Sequence, residues 1–576
     1  MTFRKYFITC EPNPKIMSKN KKRQSKEVNH QSFNQFIQQS IRRNWNQDAL
    51  TDYKGSTLQY KDVAEKMAKL HILFESMGIR PGDKIALCGK NSSHWGVVFL
   101  STLTYGAVSV PILSDFKSDN IHHIVNHSDS VVLFVGDHVW ENLDEQMMPH
   151  LKGIILLNDF SILVSRSKGL TKAYENLNML MGQKYPKAFS SSHLAYYHDK
   201  PEELAYISYT SGTTSFSKGV MIPYRSLWSN LQFACDSLPL QQGDNHVCML
   251  PLAHAFGLLF SFLFEFVRGC HVYFLTRTPS PKVIFSAYAE VKPNLIITVP
   301  LIVEKVVRKA VFPKLKTTRM RLFMHLPWIR EKILQGIRKK IEGLFGGNVL
   351  ELVIGGAALS EDVDRFMQMI HFPYTVGYGM TECGPLICYS PSSTFVRGSS
   401  GRPVDRMSIK ILSDDPFHQV GEIMVKGMNV MMGYYKNPTA TREAMTQDGW
   451  MHTGDLGTID EGKNLMIRGR SKNMLLGPNG QNIYPEEIEE KLNTLPYVAE
   501  SIVVQKGGKI LALVHPDYNL AMEHGLSQEA IGNQMEENLK TLNTMIPKYS
   551  QVAAVKIYPE EFEKTPKRSI KRYLYM

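Results

Sequence analysis

Apolar positions recur with helical spacing over residues 33–45 and again over 61–77, the second run closing on Gly78 before the turn residues Arg80, Pro81, Gly82 and Asp83. Short, wholly apolar segments then alternate with helix-patterned ones: 84–88, 108–112, 131–135, 205–209, 247–250, 271–274, 295–299 and 349–354. Strands that are apolar on both faces and separated by helices predict mostly parallel sheets with covered faces. Residues 165–200 are polar and weakly patterned, which predicts a surface connection. After Gly398 the segments 409–412, 421–426 and 465–468 read as shorter antiparallel strands with glycine turns. Beyond Arg470 the pattern becomes helix 485–495, strands 499–505 and 509–514, and helix 528–541.

This order predicts an α/β fold. A large N-terminal domain over 30–469 carries mostly parallel sheets plus a β-rich subdomain, residues 470–473 form a hinge, and 474–576 form a small mobile α+β domain. A basic, disordered tail over 1–29 precedes them. A length of 576 residues suits such a multidomain chain.

Charge changes the picture only locally. Residues 1–27 hold eight Lys and Arg against two Glu, half of the net +12. The balance elsewhere is that of an ordinary globular protein and excludes a nucleic-acid partner. The tail reads as a solvated arm, and Met17 within it is a second candidate start. Seven cysteines, odd in number and without a C-x-x-C pair, point away from a disulfide framework or thiolate zinc site and towards a reducing cytoplasm. No apolar core of a secretory signal precedes Glu11 and Pro12. The uncharged stretch 95–113 suits a buried helix running into a buried strand rather than a membrane span, and 255–267 is short and interrupted by Glu265. Peripheral contact with the inner face of a membrane stays open. The Lys- and Arg-rich run 308–340 is either a solvated helical face or a surface for anionic lipid.

The densest chemical signal is the run Tyr209-Thr210-Ser211-Gly212-Thr213-Thr214-Ser215-Phe216-Ser217-Lys218-Gly219-Val220, after a predicted strand. Hydroxyls, backbone N–H groups and a lysine can surround phosphate oxygens. It lacks the Gly-Lys-Ser/Thr of a P-loop, and by composition alone such a run is more often a surface turn. Gly377-Tyr378-Gly379-Met380-Thr381-Glu382 offers a ring to stack on a base and a carboxylate to hold Mg2+. Gly355, Gly356 and Ala357 follow a strand and allow backbone to approach a planar ring. Asp455, in Trp450-Met451-His452-Thr453-Gly454-Asp455, suits a ribose diol, or is simply a turn aspartate.

Taken together and in this order, these segments resemble the adenylate-forming (AMP-binding) superfamily over roughly residues 30–576, and among its members the long-chain fatty-acyl-CoA synthetases most. Further matches are Gly421-Glu422-Ile423-Met424-Val425-Lys426-Gly427, Gly433-Tyr434-Tyr435-Lys436-Asn437-Pro438 and Asn482-Ile483-Tyr484-Pro485-Glu486-Glu487-Ile488-Glu489. The resemblance implies a ligase that uses ATP and Mg2+ to turn a fatty acid into an acyl-adenylate and passes the acyl group to coenzyme A. It implies that Thr210, Ser211, Gly212, Thr213, Thr214 and Lys218 bind phosphate. Gly355, Gly356 and Ala357 would line adenine, Tyr378 with Gly379 would stack on it, and Thr381 would contact phosphate. Glu382 would hold the metal, Asp455 and Arg470 the ribose, and His254 would stand beside the substrate carboxylate. Lys472 takes the hinge position, and the apolar runs 255–264 and 297–303 become candidates for an acyl tunnel.

The chain departs from the family in three places. Ser215 and Ser217 replace Gly and Pro in the phosphate loop, and 477–481 is one residue longer than usual. Ser569 occupies the slot of the catalytic lysine and cannot supply its cation, which leaves Lys567 and Lys571, two residues to either side, as stand-ins. Two rival readings follow: an enzyme that loads an acyl carrier protein, and a ligand-binding relative with impaired catalysis.

Overall fold

The computed structural model describes residues 32–210, 218–276, 280–315, 317–476, 481–564 and 570–576. The tail expected at 1–29 lies outside them.

The chain opens on helix Phe33–Arg43, whose first turn is pinned by Asp199: its carboxylate accepts from the backbone N–H of Phe33 and Asn34 at 2.9 Å each and from the Ser32 hydroxyl. The uncharged stretch near residue 100 resolves as expected. Ser92 Oγ caps helix Ser93–Tyr105, Gly106 closes it at φ 87°, and strand Val108–Ile112 follows with every residue buried. Among the described residues no helix is long and apolar enough to cross a membrane.

Eight strands form the largest sheet, in the spatial order Gly433–Tyr434, Lys218–Pro223, Leu204–Thr210, Val108–Ile112, Lys84–Cys88, Ser130–Val135, Gly153–Leu156 and Ile162–Ser165. Its centre is parallel and both margins are antiparallel. A second sheet sets Asn245–Cys248 and His271–Phe274 parallel to Asp48–Asp52, with Thr57–Gln59 antiparallel at its edge. A third is wholly parallel: Leu295–Thr298, Glu351–Ile354 and Tyr374–Val376. The β-rich portion is a four-stranded antiparallel sheet of Met407–Leu412, Gly421–Gly427, Met451–Ile459 and Leu465–Arg470.

The expectation for 165–200 needs correction. Helices Lys168–Glu175 and Leu177–Lys184 occupy it, burying Leu170, Ala173 and Met181, and Met181 packs with Ala68 and Ile72 of helix Tyr60–Ser76. Each helix has only two turns, too few for its apolar spacing to stand out among the polar residues.

Past residue 475 the core changes. Strands Val498–Lys506 and Lys509–Pro516 meet at a Gly507-Gly508 turn with φ of 57° and 74°, a conformation that favours glycine at both places. Strand Ala554–Ile557 adds in parallel. One face of this sheet packs Val503, Ala512 and Val514 against Ile488, Leu492, Ile531 and Leu542; the other packs Ile502 and Val504 against Phe562.

Candidate functional site

The three strands of the parallel sheet end side by side, so the residues that follow them emerge along one edge, the usual place for a ligand in open α/β sheets. The N–H of Gly355 donates to the Thr298 carbonyl at 3.0 Å and that of Gly377 to the Ile354 carbonyl at 2.9 Å, continuing the ladder into the loops. Gly355 faces the Phe256 ring so closely that a Cβ would lie 2.7 Å from it, and Gly356 has φ 86°. Phe256 belongs to the segment that starts at His254, so the glycine turn and the histidine loop touch. His254 is half-buried, and its Nδ1 accepts from the Phe256 N–H at 3.4 Å, which places a ring proton on Nε2 in the neutral form.

Tyr378, Asp455 and Arg470 come together from three elements. Asp455 and Arg470 are paired opposite one another in adjoining antiparallel strands, so their side chains share a face. Arg470 Nε lies 2.9 Å from Asp455 Oδ1, and Tyr378 Oη donates to Oδ2 at 2.6 Å. Asp455 is buried, whereas the Arg470 side chain is 60% exposed. Burial pushes the Asp455 carboxyl up from the usual range, and Arg470 first and Tyr378 second pull it back. Thr453 adds a fixed point: its hydroxyl donates to the Ile423 carbonyl at 2.7 Å and accepts from the Asp455 N–H at 3.0 Å.

Glu382 sits in a single 3-10 turn, Thr381–Cys383, with Thr381 buried. A polar network fixes that turn. Asn230 Nδ2 donates to the Cys383 carbonyl at 3.2 Å while its Oδ1 accepts from the Leu386 N–H at 3.0 Å, and Asn429 Nδ2 donates to the Leu386 carbonyl at 2.7 Å. Gly379 is close-packed there, since a Cβ would collide with the Pro385 carbonyl. The Glu382 backbone carbonyl accepts from the Met431 N–H at 2.8 Å. Its carboxylate accepts from Tyr434 Oη at 3.0 Å, and Lys218 Nζ stands 4.8 Å from the centre of the Tyr434 ring.

Lys218 is paired with Thr210 at the open end of a strand pair. The chain between them carries Ser211, Gly212, Thr213, Thr214, Ser215 and Ser217 and lies outside the described residues, but both of its ends are fixed, and Lys218 reaches Glu382 through one tyrosine. Sequence reading passed over Tyr434 as a site residue. It stood inside a matched segment, but the pairing of Gly433–Tyr434 with Val220 and Met221 that brings it to Lys218 is long-range.

The C-terminal candidates are described only in part. Lys567 and Ser569 lie outside the described residues, as do 477–480. Lys571 Nζ is 3.0 Å from Glu563 Oε2, a contact that raises its pKa. Arg572 binds Glu489. Lys472 is exposed in the turn Ser471–Asn473, next to Asn473, whose amide donates to Glu486 at 2.6 Å.

The model of the AMP-binding enzyme family matches residues 37–435, and that of the AMP-binding enzyme C-terminal domain matches 473–576. A long-chain-fatty-acid–CoA ligase of Mycobacterium bovis is 28% identical over 453 residues, covering 74% of this chain and 72% of its own. A chloroplastic long-chain-fatty-acid–[acyl-carrier-protein] ligase of Arabidopsis thaliana is 26% identical, covering 80% and 72%. ATP-bound MatB from Rhodopseudomonas palustris has the same fold at a TM-score of 0.74 and 21% identity, covering 94% of this chain and 98% of its own. A family match over more than half of the chain identifies this protein as a member of the AMP-binding enzyme family.

Proposed function

We propose that the protein joins a fatty acid to coenzyme A in two steps. In the first, a carboxylate oxygen bonds to the α-phosphorus of ATP and the bond to pyrophosphate breaks. In the second, the coenzyme A thiol attacks the acyl carbon, the bond to AMP breaks and the thiol proton is released. The observation that supports this reading is the Lys218–Tyr434–Glu382 series, in which the residue that follows the hydroxyl-rich run and the acidic residue contact the same tyrosine.

The chain's own groups do the positioning. Lys218 and the hydroxyls of Thr210, Ser211, Thr213 and Thr214 hold phosphate oxygens, with Thr381 beside them. Gly355, Gly356 and Ala357 line the adenine, while Tyr378 and Gly379 cover it. Asp455 and Arg470 hold the ribose, and His254 orients the incoming carboxylate. The donor set suits a hard cation: among the described residues the Glu382 carboxylate accepts from Tyr434, and a carboxylate completed by phosphate oxygens and water is a usual ligand set for Mg2+. Mg2+ bound at Glu382 would neutralise charge building on the departing pyrophosphate. No protein nucleophile is required, because positioning and charge compensation account for the rate. A cation from Lys567 or Lys571 replaces the one that Ser569 cannot supply, and rotation about Lys472 brings the second domain, 474–576, over the adenylate. The apolar runs at 255–264 and 297–303 receive the chain. A cytoplasmic setting goes with this reading, and all six described cysteines are free thiols.

Trapping with hydroxylamine across acid chain lengths tests the first step. Hydroxamate that peaks with long-chain acids supports the reading; none with any acid sinks it. The relative that charges an acyl carrier protein favours a second reading in which the acceptor is a carrier's phosphopantetheine. Product analysis with each thiol separates the two. Lys567→Ala and Lys571→Ala, measured on hydroxamate formation and on thioester formation separately, tell which lysine serves adenylation.

A further inference from the structure

Residues 305–344 lie within the crossover between Leu295–Thr298 and Glu351–Ile354, two strands whose ends help to build the candidate site. The stretch holds twelve Lys and Arg against two Glu, a surplus of ten in a chain whose total is twelve. Helices Thr318–Met324 and Pro327–Leu344 form its outer part.

The longer helix faces inward with Leu334, Ile337 and Ile341. At about 100° per residue the opposite side carries Trp328, Lys332 and Lys339, with Lys340 on the flank, and all four are exposed. Around its N-terminal end cluster further apolar side chains in water. Trp328 is 82% and Leu322 69% exposed, and Phe323, Leu326 and Ile329 are exposed beside them. Scattered exposed leucines need no explanation, but five large apolar residues within eight positions, backed by lysines, make a patch.

We propose that this helix pair docks on an anionic phospholipid bilayer, with Leu322, Phe323, Leu326, Trp328 and Ile329 entering the headgroup boundary and Lys332, Lys339 and Lys340 resting on lipid phosphates. Tryptophan with leucines at the tip and lysines behind is the pattern of a helix that lies in a membrane interface. A second copy of the chain is disfavoured on the same face, because the two surpluses of positive charge would oppose each other. In a fatty-acid ligase the docked crossover would turn the site towards the phase in which the substrate dissolves, and this last point rests on the function proposed above.

The test is co-sedimentation of the full chain with vesicles of phosphatidylcholine, with and without phosphatidylglycerol. We expect at least about ten-fold tighter binding with the anionic lipid, weakening as salt rises. The Leu322→Ser/Trp328→Ser and Lys332→Gln/Lys339→Gln/Lys340→Gln variants, all on exposed positions, should each lose most of that binding at unchanged melting temperature. Trp328→Phe should remove a lipid-induced blue shift in fluorescence. Equal binding to both vesicle types, or variants that bind as wild type, overturns the proposal. So does a dimer that Trp328→Ser splits while vesicle binding persists. Since the assay needs neither ATP nor acid, vesicle binding without hydroxamate formation upholds the surface and overturns the function, and the converse result does the reverse.

Discussion

Two carboxyl groups are sealed from water in different parts of this protein, and their surroundings treat them in opposite ways. Asp455, in the β-rich sheet, has Arg470 across the strand pair and the Tyr378 hydroxyl on its other oxygen. Glu265, in helix Phe264–Arg268, is fully buried with His246 Nδ1 3.6 Å away, and no donor from another residue reaches its carboxyl oxygens among the described residues. Burial raises both. At Asp455 a cation and a donor oppose that effect, whereas Glu265 is carried up to about 8 and His246 down to about 3, so both are neutral between about pH 3 and 8. The comparison separates a buried carboxyl group whose ionised form has partners from one whose ionised form has none among the described residues.

The largest expected effect breaks the first half of the comparison. Asp455→Ala leaves Arg470 and Tyr378 without their shared partner and should lower kcat/KM for ATP by on the order of 10²-fold, read from the ATP dependence of pyrophosphate release. An unchanged ATP dependence would make Asp455 a structural residue like Glu265.

The second prediction concerns pH. Between pH 4.5 and about 8 an unfolded chain ionises Glu265 while the native one does not, so stability falls as pH rises, by at most about 1.4 kcal/mol per unit. His246 acts the other way, but only between about 3 and 6.5, where the unfolded chain binds the extra proton. From pH 6.5 to 8 His246 no longer offsets Glu265, and Glu265→Gln should remove about 2 kcal/mol of that decline. Melting temperatures of the two proteins at pH 6.5 and 8 check this, and parallel curves would contradict it. Activity should not follow the substitution as it follows Asp455.

The smallest effect sharpens the site itself. Tyr434→Phe keeps the ring beneath Lys218 and removes only the hydrogen bond to Glu382, so it should lower the adenylation rate about three- to ten-fold. Tyr434→Ala, which removes both contacts, should cost more.

Much of this was legible along the chain because the relevant signals are local. Strands Lys84–Cys88, Val108–Ile112 and His271–Phe274 sit where their apolar runs lie, whereas Asp455, open to reading as a turn aspartate, lies inside strand Met451–Ile459, which the glycine-bearing pattern around it did not announce. What stayed hidden depends on register and distance. The opposition of Asp455 and Arg470, the approach of Tyr434 to Lys218 and the contact of Phe256 with Gly355 are set by which strands become neighbours. The basic run was visible, but the water-facing apolar tip at Trp328 was not, because the same leucines and tryptophan could have filled a core. The C-terminal lysines show the converse: Lys571 has a partner eight residues away, so its neighbourhood tells little about the distant site.

The central claim is that the loop ending at Lys218 and the acid at Glu382 meet around one nucleoside triphosphate. Fatty-acid-dependent exchange between pyrophosphate and ATP, compared in the wild type and Glu382→Ala, tests it most directly. A loss on the order of 10²–10³-fold is the predicted result, and equal exchange in the two proteins would contradict it.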